Sequence, residues 1–337
     1  MNLQAYTIEM FKILKLNNIA NEGLEVFSGN DYHCGSDVTS PDAIILRSYD
    51  MHEMKIPNNL QAVGRAGSGV NNIPIDIYTD MAIPVFNAPG ANSNAVKELV
   101  LASILMMARN IHSALKYVDS VKGSDDLEIN IEKGKKAYVG FELPSKKLGV
   151  IGLGQIGVKV ANAAHDLGMK VIGYDPLITV DNAINMQPGV TKVNELKDLL
   201  SECDIITIHI PYKKETENFI GSSEIKALKT GSIIINLSRE KIVDTRSIIE
   251  SIKNKHIKNY VTDFPSQELI DNENVLVMPH LGASTKEAEI NCAVMVANSL
   301  KLYLETGNIV NSVNFPNVKL SLKSPHRLTI TNTNIPN

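Results

Sequence analysis

Tryptophan is missing from the 337-residue sequence, and Phe, Tyr and Trp together supply 5% of it. Few rings remain for the stacking platforms that bind single-stranded nucleic acid. Basic residues are not in excess either. Lys+Arg number 33 against 37 Asp+Glu, a formal charge of −4, and the pI is about 6.1. Such a chain lacks the basic stripe that neutralises phosphates, so no nucleic-acid partner is expected. Long apolar runs are missing as well. The longest, from Leu99 to Ala108, is interrupted by Ser103 and is about half of the roughly 20 residues that cross a membrane, so no membrane partner is expected. Cysteines are few: Cys34, Cys203 and Cys292, odd in number and far apart, with no CxxC or HExxH beside them. They read as buried or free thiols of a reducing cytoplasm, and no metal site is expected. The opening MNLQAYTIEM has no basic segment leading into an apolar core. No signal peptide is expected, and the expected location is the cytoplasm.

What is present describes an ordinary globular chain, 44% apolar and 21% charged. At roughly 150 residues per domain the length suggests two domains. The first 90 residues hold short apolar runs (43–46, 61–63, 83–86) bounded by Pro, Gly, Asp or Asn, the punctuation of βα units. A helix is predicted from about Asn94 to Arg109, capped by Asn92 or Ser93, with Val96, Leu99, Val100, Ser103 and Met107 at helical spacing. Residues 119–147 are polar with no clear period and read as an arm. From Leu148 the chain alternates again, with strands predicted at 148–151, 170–174, 205–208, 233–236, 261–263 and 275–278 and helices between them. Alternation of this kind implies a parallel, doubly wound sheet. A last long helix is predicted over 287–305, stopped by Gly307.

Gly152-x-Gly154-x-x-Gly157 follows an apolar strand and opens a helix. The first glycine permits the tight turn, the second lets backbone approach a pyrophosphate, and the third lets helix pack on strand. Gln155, Ile156 and Gly157 lie where a helix N-terminus offers free N–H groups to phosphate. Asp175 ends the next strand, where a carboxylate binds ribose hydroxyls and repels a 2′-phosphate. The expected cofactor is therefore NAD rather than NADP.

Three polar residues stand near the ends of later strands: Arg239, Glu268 and His280. In a parallel sheet those ends face the cofactor crevice. An arginine fork grips a carboxylate, an imidazole takes the hydroxyl proton as hydride leaves, and a carboxylate orients and charges the imidazole. That set suits oxidation of a hydroxy acid. Read without the glycine turn, the same residues pass for a surface arginine and a strand-end histidine.

With GLGQIG and Asp175, IHIPYKKET at 208–216, INLSREKIVD at 235–244, VTDFPSQE at 261–268 and MPHLGAST at 278–285, the sequence resembles the D-isomer-specific 2-hydroxyacid dehydrogenases over residues 7–315. The resemblance implies Arg239, Glu268 and His280 as the catalytic set. It implies an α/β fold of two doubly wound domains, Rossmann-like and flavodoxin-like, with parallel sheets and a cleft between them. The substrate-binding domain would comprise 1–92 and 286–318, with the NAD-binding domain, 93–285, inserted. Within the family the likeness is strongest to members that oxidise 3-phosphoglycerate to 3-phosphohydroxypyruvate, the first step toward serine. AVGRAGSGVNNIP at 62–74 matches the loop whose amides hold the substrate carboxylate, pointing to Ser68 and Gly69, and ILRSYD at 45–50 places Arg47 to meet a phosphate. The expected partner is thus a small phosphorylated hydroxy acid. A homodimer or homotetramer, joined through the cofactor domains, is also implied. Other readings are a reductase of glyoxylate, hydroxypyruvate or D-lactate, and an NAD-sensing binding protein.

The resemblance assigns His209 and Pro211 of the HxP motif to the lining of the cofactor. Asp263 would either bond the nicotinamide carboxamide or cap its strand. Tyr49 would line the substrate mouth or merely pack, and Lys135 and Lys136 would reach a phosphate or stay solvated. Some residues depart from the pattern. Glu240 stands where many relatives have glycine, and DFPSQE replaces DVFPTE, leaving Glu273 as an alternative to Glu268. The part ahead of Arg47 is short. Residues 319–337 (HRLTITNTNIPN and what precedes it) resemble the first strand of an ACT-type ligand domain that goes no further, so regulation by serine through it is not expected.

Overall fold

The structure, a computed structural model, describes residues 10–321 together with Lys323 and Ile330. In chain order it begins with β1 (Phe11–Leu16), α1 (Asn21–Leu24), β2 (Tyr32–Gly35), β3 (Ala43–Leu46), β4 (Ala62–Arg65), α2 (Ile75–Asp80) and β5 (Val85–Phe86). Then come α3 (Ser93–Ala108), α4 (Ile111–Ser120), α5 (Leu127–Gly134), β6 (Lys147–Ile151), α6 (Gln155–Asp166), β7 (Lys170–Tyr174), α7 (Val180–Ile184), β8 (Thr191–Val193), α8 (Leu196–Glu202) and β9 (Ile205–Ile208). The chain continues through α9 (Ser222–Ala227), β10 (Ser232–Asn236), α10 (Thr245–Lys253), β11 (Ile257–Thr262), α11 (Gln267–Ile270) and β12 (Val275–Val277) to α12 (Lys286–Thr306). It divides into two compact units, one built from the residues up to Asn92 and from Thr285 onward, the other from Ser93–Ser284.

The first unit carries a five-stranded, all-parallel sheet ordered β2-β1-β3-β4-β5, the flavodoxin-like order. Consecutive strand residues point to opposite faces, and both faces are covered. Ile13, Ala43, Ile45 and Ala62 pack under α12 through Ala293, Val296 and Leu300. Leu14, Ile44, Leu46 and Val63 meet Tyr78 of α2. A side chain at Gly64 would run into Leu300, 2.7 Å away, so β4 is glycine where α12 lies closest. Thr285 caps α12, its hydroxyl accepting the Ala288 N–H, and Gly307 ends the helix at φ +67°. The strand-like tail expected at 319–337 lies almost wholly outside the described residues.

The second unit carries a seven-stranded parallel sheet ordered β12-β11-β10-β9-β6-β7-β8. This is the dinucleotide-fold order with one strand added. Ile233 and Ile235 face the side of α3 and α6, while Ile234 faces Leu199, Ile248 and Ile252 on α8 and α10. Each such isoleucine, fully buried, contributes about 1.5–3 kcal/mol relative to exposure.

Two expectations are corrected. The arm at 119–147 is regular: it holds the end of α4, all of α5 and two 3₁₀ turns. Neither α4 nor α5 buries any residue, so no core-facing stripe marks them. The strand expected at 261–263 runs from Ile257 and stops at Thr262, because Asp263 turns its carboxylate to the Gly282 amide.

Candidate active site

In the second unit the order reverses between β9 and β6, and there the loop after β6 turns sharply. Gly152 adopts φ +92°, and a Cβ on it would meet the His209 backbone at 2.8 Å. A Cβ on Gly157 would sit 1.8 Å from the Gly152 carbonyl oxygen. Gly154 differs, since a Cβ there would meet nothing within 4 Å. The turn thus fits a bound pyrophosphate: glycine is needed for packing at two positions and leaves open space at the third. The N–H groups of Gln155, Ile156 and Gly157 take no protein acceptor among the described residues. Asp175 ties the turn to β7. Its Oδ2 accepts the Leu153 N–H and its Oδ1 the Leu177 N–H, each at 2.8 Å, and each oxygen keeps a lone pair for a ribose hydroxyl. His209 follows β9, its Nε2 2.9 Å from the Thr207 hydroxyl, and burial pushes its pKa down to about 3. The ring is therefore neutral and unsuited to donate a proton. Pro211, exposed, offers its carbonyl to Thr216.

Farther along the same sheet edge, Asp263 is fully buried. Its Oδ2 accepts the Gly282 N–H at 2.9 Å, and its Oδ1 has no hydrogen-bond partner among the described residues. Burial raises its pKa, against the pull of that amide and of the charges on His280 and Arg239. Burial likewise lowers the pKa of Arg239, and the Asp263 charge opposes it. Arg239 Nη1 donates to the Ser238 carbonyl at 2.6 Å. His280 is exposed, at φ +49°, with its ring edge-on to Phe264 at 5.2 Å and its N–H on the Asp263 carbonyl. A left-handed histidine is strained, as residues at functional sites often are. Arg239, Asp263 and His280 are thus brought within electrostatic reach of one another. Glu268 is not joined to them: it stands exposed on α11 with no hydrogen bond or ion pair among the described residues. Glu273, also exposed, shows none either.

In the first unit the strand order reverses between β1 and β3. Arg47 follows β3, and its carbonyl accepts from Arg65 Nε at 3.0 Å and Asn72 Nδ2 at 3.2 Å. Its Nη1 lies 2.6 Å from Glu289 Oε1 on α12. Tyr49 is 40% exposed, and its N–H donates to Asn17. The N–H groups of Ser68, Gly69 and Val70 take no protein acceptor among the described residues, a run of three donors. Arg65, at the end of β4, folds its guanidinium over Gly67, where a Cβ would meet it at 1.9 Å. The sequence reading did not single it out, although it lies within the AVGRAGSGVNNIP segment that pointed to Ser68 and Gly69. Glu289 carried no sequence signal. Lys135 pairs with Glu132 in solvent, both more than half exposed, as a solvated charge run would. Among the described residues no cluster of His, Cys, Asp or Glu could hold a metal, and no helix is long and apolar enough to cross a membrane.

Comparison with known proteins places this geometry. Residues 101–282 match the family described as D-isomer specific 2-hydroxyacid dehydrogenase, NAD binding domain. The D-3-phosphoglycerate dehydrogenase of Methanocaldococcus jannaschii is 37% identical over 278 residues, 80% of this chain and 51% of the relative. That of Escherichia coli K12 is 34% identical over 288 residues, 82% of this chain and 67% of the relative. Among solved structures, the D-mandelate dehydrogenase of Rhodotorula graminis superposes with a TM-score of 0.76 at 20% identity, over 90% of this chain and 97% of that one, and shows the shared fold. The chain belongs to the D-isomer specific 2-hydroxyacid dehydrogenase family, and its second unit holds an NAD-binding domain. It spans about half to two thirds of the length of the curated relatives it matches.

Proposed function

We propose that the chain is an NAD-dependent dehydrogenase that oxidises 3-phospho-D-glycerate at C2 to 3-phosphohydroxypyruvate, the first step toward serine, in the cytoplasm. The observation that carries the reaction class is the meeting of Arg239 and His280 about the buried Asp263, at the sheet edge that also bears the glycine turn. The names of the relatives support the substrate, as do Arg47 and Arg65 at neighbouring strand ends.

NAD, when bound, accepts the hydride from C2. The amides after Gly154 would hold its pyrophosphate, Asp175 its ribose hydroxyls, and the backbone beside His209 and Pro211 its nicotinamide end. Arg239 grips the substrate carboxylate with its fork. His280 takes the C2 hydroxyl proton on its ring nitrogen, and the negative charge of Asp263 favours the imidazolium that forms. Glu268 is assigned the orienting carboxylate by kinship, and Asp263 is the carboxylate whose charge acts on the imidazole. Arg47 and Arg65 receive the phosphate.

One observation favours an unphosphorylated 2-hydroxy acid instead: the Arg47 guanidinium already has a carboxylate partner in Glu289. The deciding experiment is NADH oxidation with 3-phosphohydroxypyruvate beside hydroxypyruvate, on wild type and on His280→Ala. A preference for the phosphorylated acid, with turnover lost in His280→Ala, is expected. Equal rates on both acids would make the chain a general 2-keto-acid reductase, and no turnover on either would leave an NAD-binding protein.

A further inference from the structure

Arg47 has little freedom except at its tip. Its carbonyl is held by Arg65 and Asn72, and Asn72 also holds the Tyr49 carbonyl at 2.7 Å. Glu289 has no more. It sits in the first turn of α12, a 21-residue helix capped by Thr285 and pressed onto β4 through Val296 and Leu300. Cys292, a buried thiol on α12, feels the charges of Arg65, Arg47 and Glu289 together. Two arginines and one glutamate therefore form one cluster on one unit. Within it Arg47 Nη1 lies 2.6 Å from Glu289 Oε1.

We propose that Glu289 is the resident counter-ion of a phosphate subsite formed by Arg47 and Arg65, and that its competition for Arg47 sets how strongly a phosphorylated acid is preferred over an unphosphorylated one. The inference rests on the reading of Arg47 as the phosphate ligand. A phosphate ester carries roughly −1.5 to −2 charges at neutral pH. Arriving at Arg47, it meets a guanidinium already neutralised on one nitrogen and a carboxylate that repels it. Glu289 must swing out before the phosphate can take the arginine fork in its two-pronged geometry. The swing is cheap, because the Arg47 and Glu289 side chains are 32% and 46% exposed and such pairs are weak. A dianion displaces the carboxylate. An acid without phosphate leaves the pair closed, so Arg47 exerts no unspecific attraction on it.

The test is Glu289→Gln, which keeps the shape and removes the charge. KM for 3-phosphohydroxypyruvate should fall about fivefold, the upper range for releasing an exposed ion pair, with the effect in KM and not in kcat. Calorimetric titration with inorganic phosphate should show its affinity rising by a similar factor, a readout that needs no turnover. Unchanged KM and phosphate affinity would overturn the proposal. So would a rise in KM, which would mean that Glu289 aims Arg47 instead of competing for it. Arg47→Ala separates the two levels of failure. If it abolishes the preference for the phosphorylated acid while Glu289→Gln does nothing, the subsite stands and the counter-ion role falls. If it leaves that preference intact, the phosphate reading itself falls, and the proposal with it.

Discussion

Asp263 accepts the Gly282 amide on one carboxylate oxygen at 2.9 Å and leaves the other buried, with no hydrogen-bond partner among the described residues. A carboxylate in that state is expensive to keep, and burial raises its pKa accordingly. A raised carboxyl pKa means that the folded chain binds more protons than the unfolded one above the ordinary value of 3.8. Stability is therefore lost as pH rises through that window, and the ionised side chain is a cost at pH 7. Asp263→Asn removes the cost and keeps an acceptor for Gly282. Its Tm at pH 7 should not fall below wild type. Its kcat/KM should drop about tenfold or more, since Arg239 and His280 lose the charge they share. A variant that unfolds early and keeps its activity would show Asp263 to be a structural cap alone.

Gly154 and Gly157 belong to one motif, and the structure separates their tasks. Gly154 has an ordinary φ of −77° and open space where a Cβ would go. Gly154→Ala should keep the Tm of wild type within about a degree or two while weakening NADH binding at least ~10-fold, because the methyl occupies ground that the pyrophosphate needs. Gly157→Ala drives a Cβ onto the Gly152 carbonyl and should lose several degrees of Tm as well as NADH. NADH fluorescence titration beside thermal unfolding checks both. Equal Tm losses in the two variants would refute the division of labour.

Much of the second unit was legible because its signals are local. Lys170–Tyr174 is a strand with the bounds its apolar run implies, and α3 and α12 follow from helical spacing and a stop at Gly307. β8 was not legible: Thr191–Val193 is a polar edge strand with two of three residues exposed. Nor were α4 and α5, whose residues never face a core. At the site, the glycine turn could be read from its strand and helix, and Arg239 and His280 became candidates only beside it. The pairing of Arg47 with Glu289 could not, because it depends on β3 and α12 meeting across most of the chain.

His209 makes acid a specific threat. Its ordinary pKa of 6.5 falls to about 3 in the fold, with burial as the cause. Between those values the unfolded chain binds the extra proton, so stability is present above pH 6.5 and is lost as pH falls toward 3. At pH 5 the loss from this residue reaches up to roughly 2 kcal/mol. His209→Gln cannot take up that proton. The drop in urea midpoint between pH 7 and pH 5 should be smaller in the variant than in wild type. Parallel drops would show that other groups carry the acid sensitivity.

We also propose that two copies pair through α4. Ile111, Leu115 and Val118 recur at i, i+4 and i+7, so they share one face, and they are 38%, 61% and 47% exposed. The helix is held to its own chain by a different side: the Tyr117 ring lies 5.5 Å from that of Tyr138, and its hydroxyl bonds the Asn130 carbonyl. A monomer would leave the apolar face in water, which a second copy of the same helix can cover with the same residues under two-fold symmetry. Sedimentation at micromolar concentration should give a dimer or tetramer for wild type, and Leu115→Lys should shift it toward monomer with little change in Tm. Monomeric wild type would defeat the proposal, and a Leu115→Lys variant that stays fully associated would move the interface elsewhere.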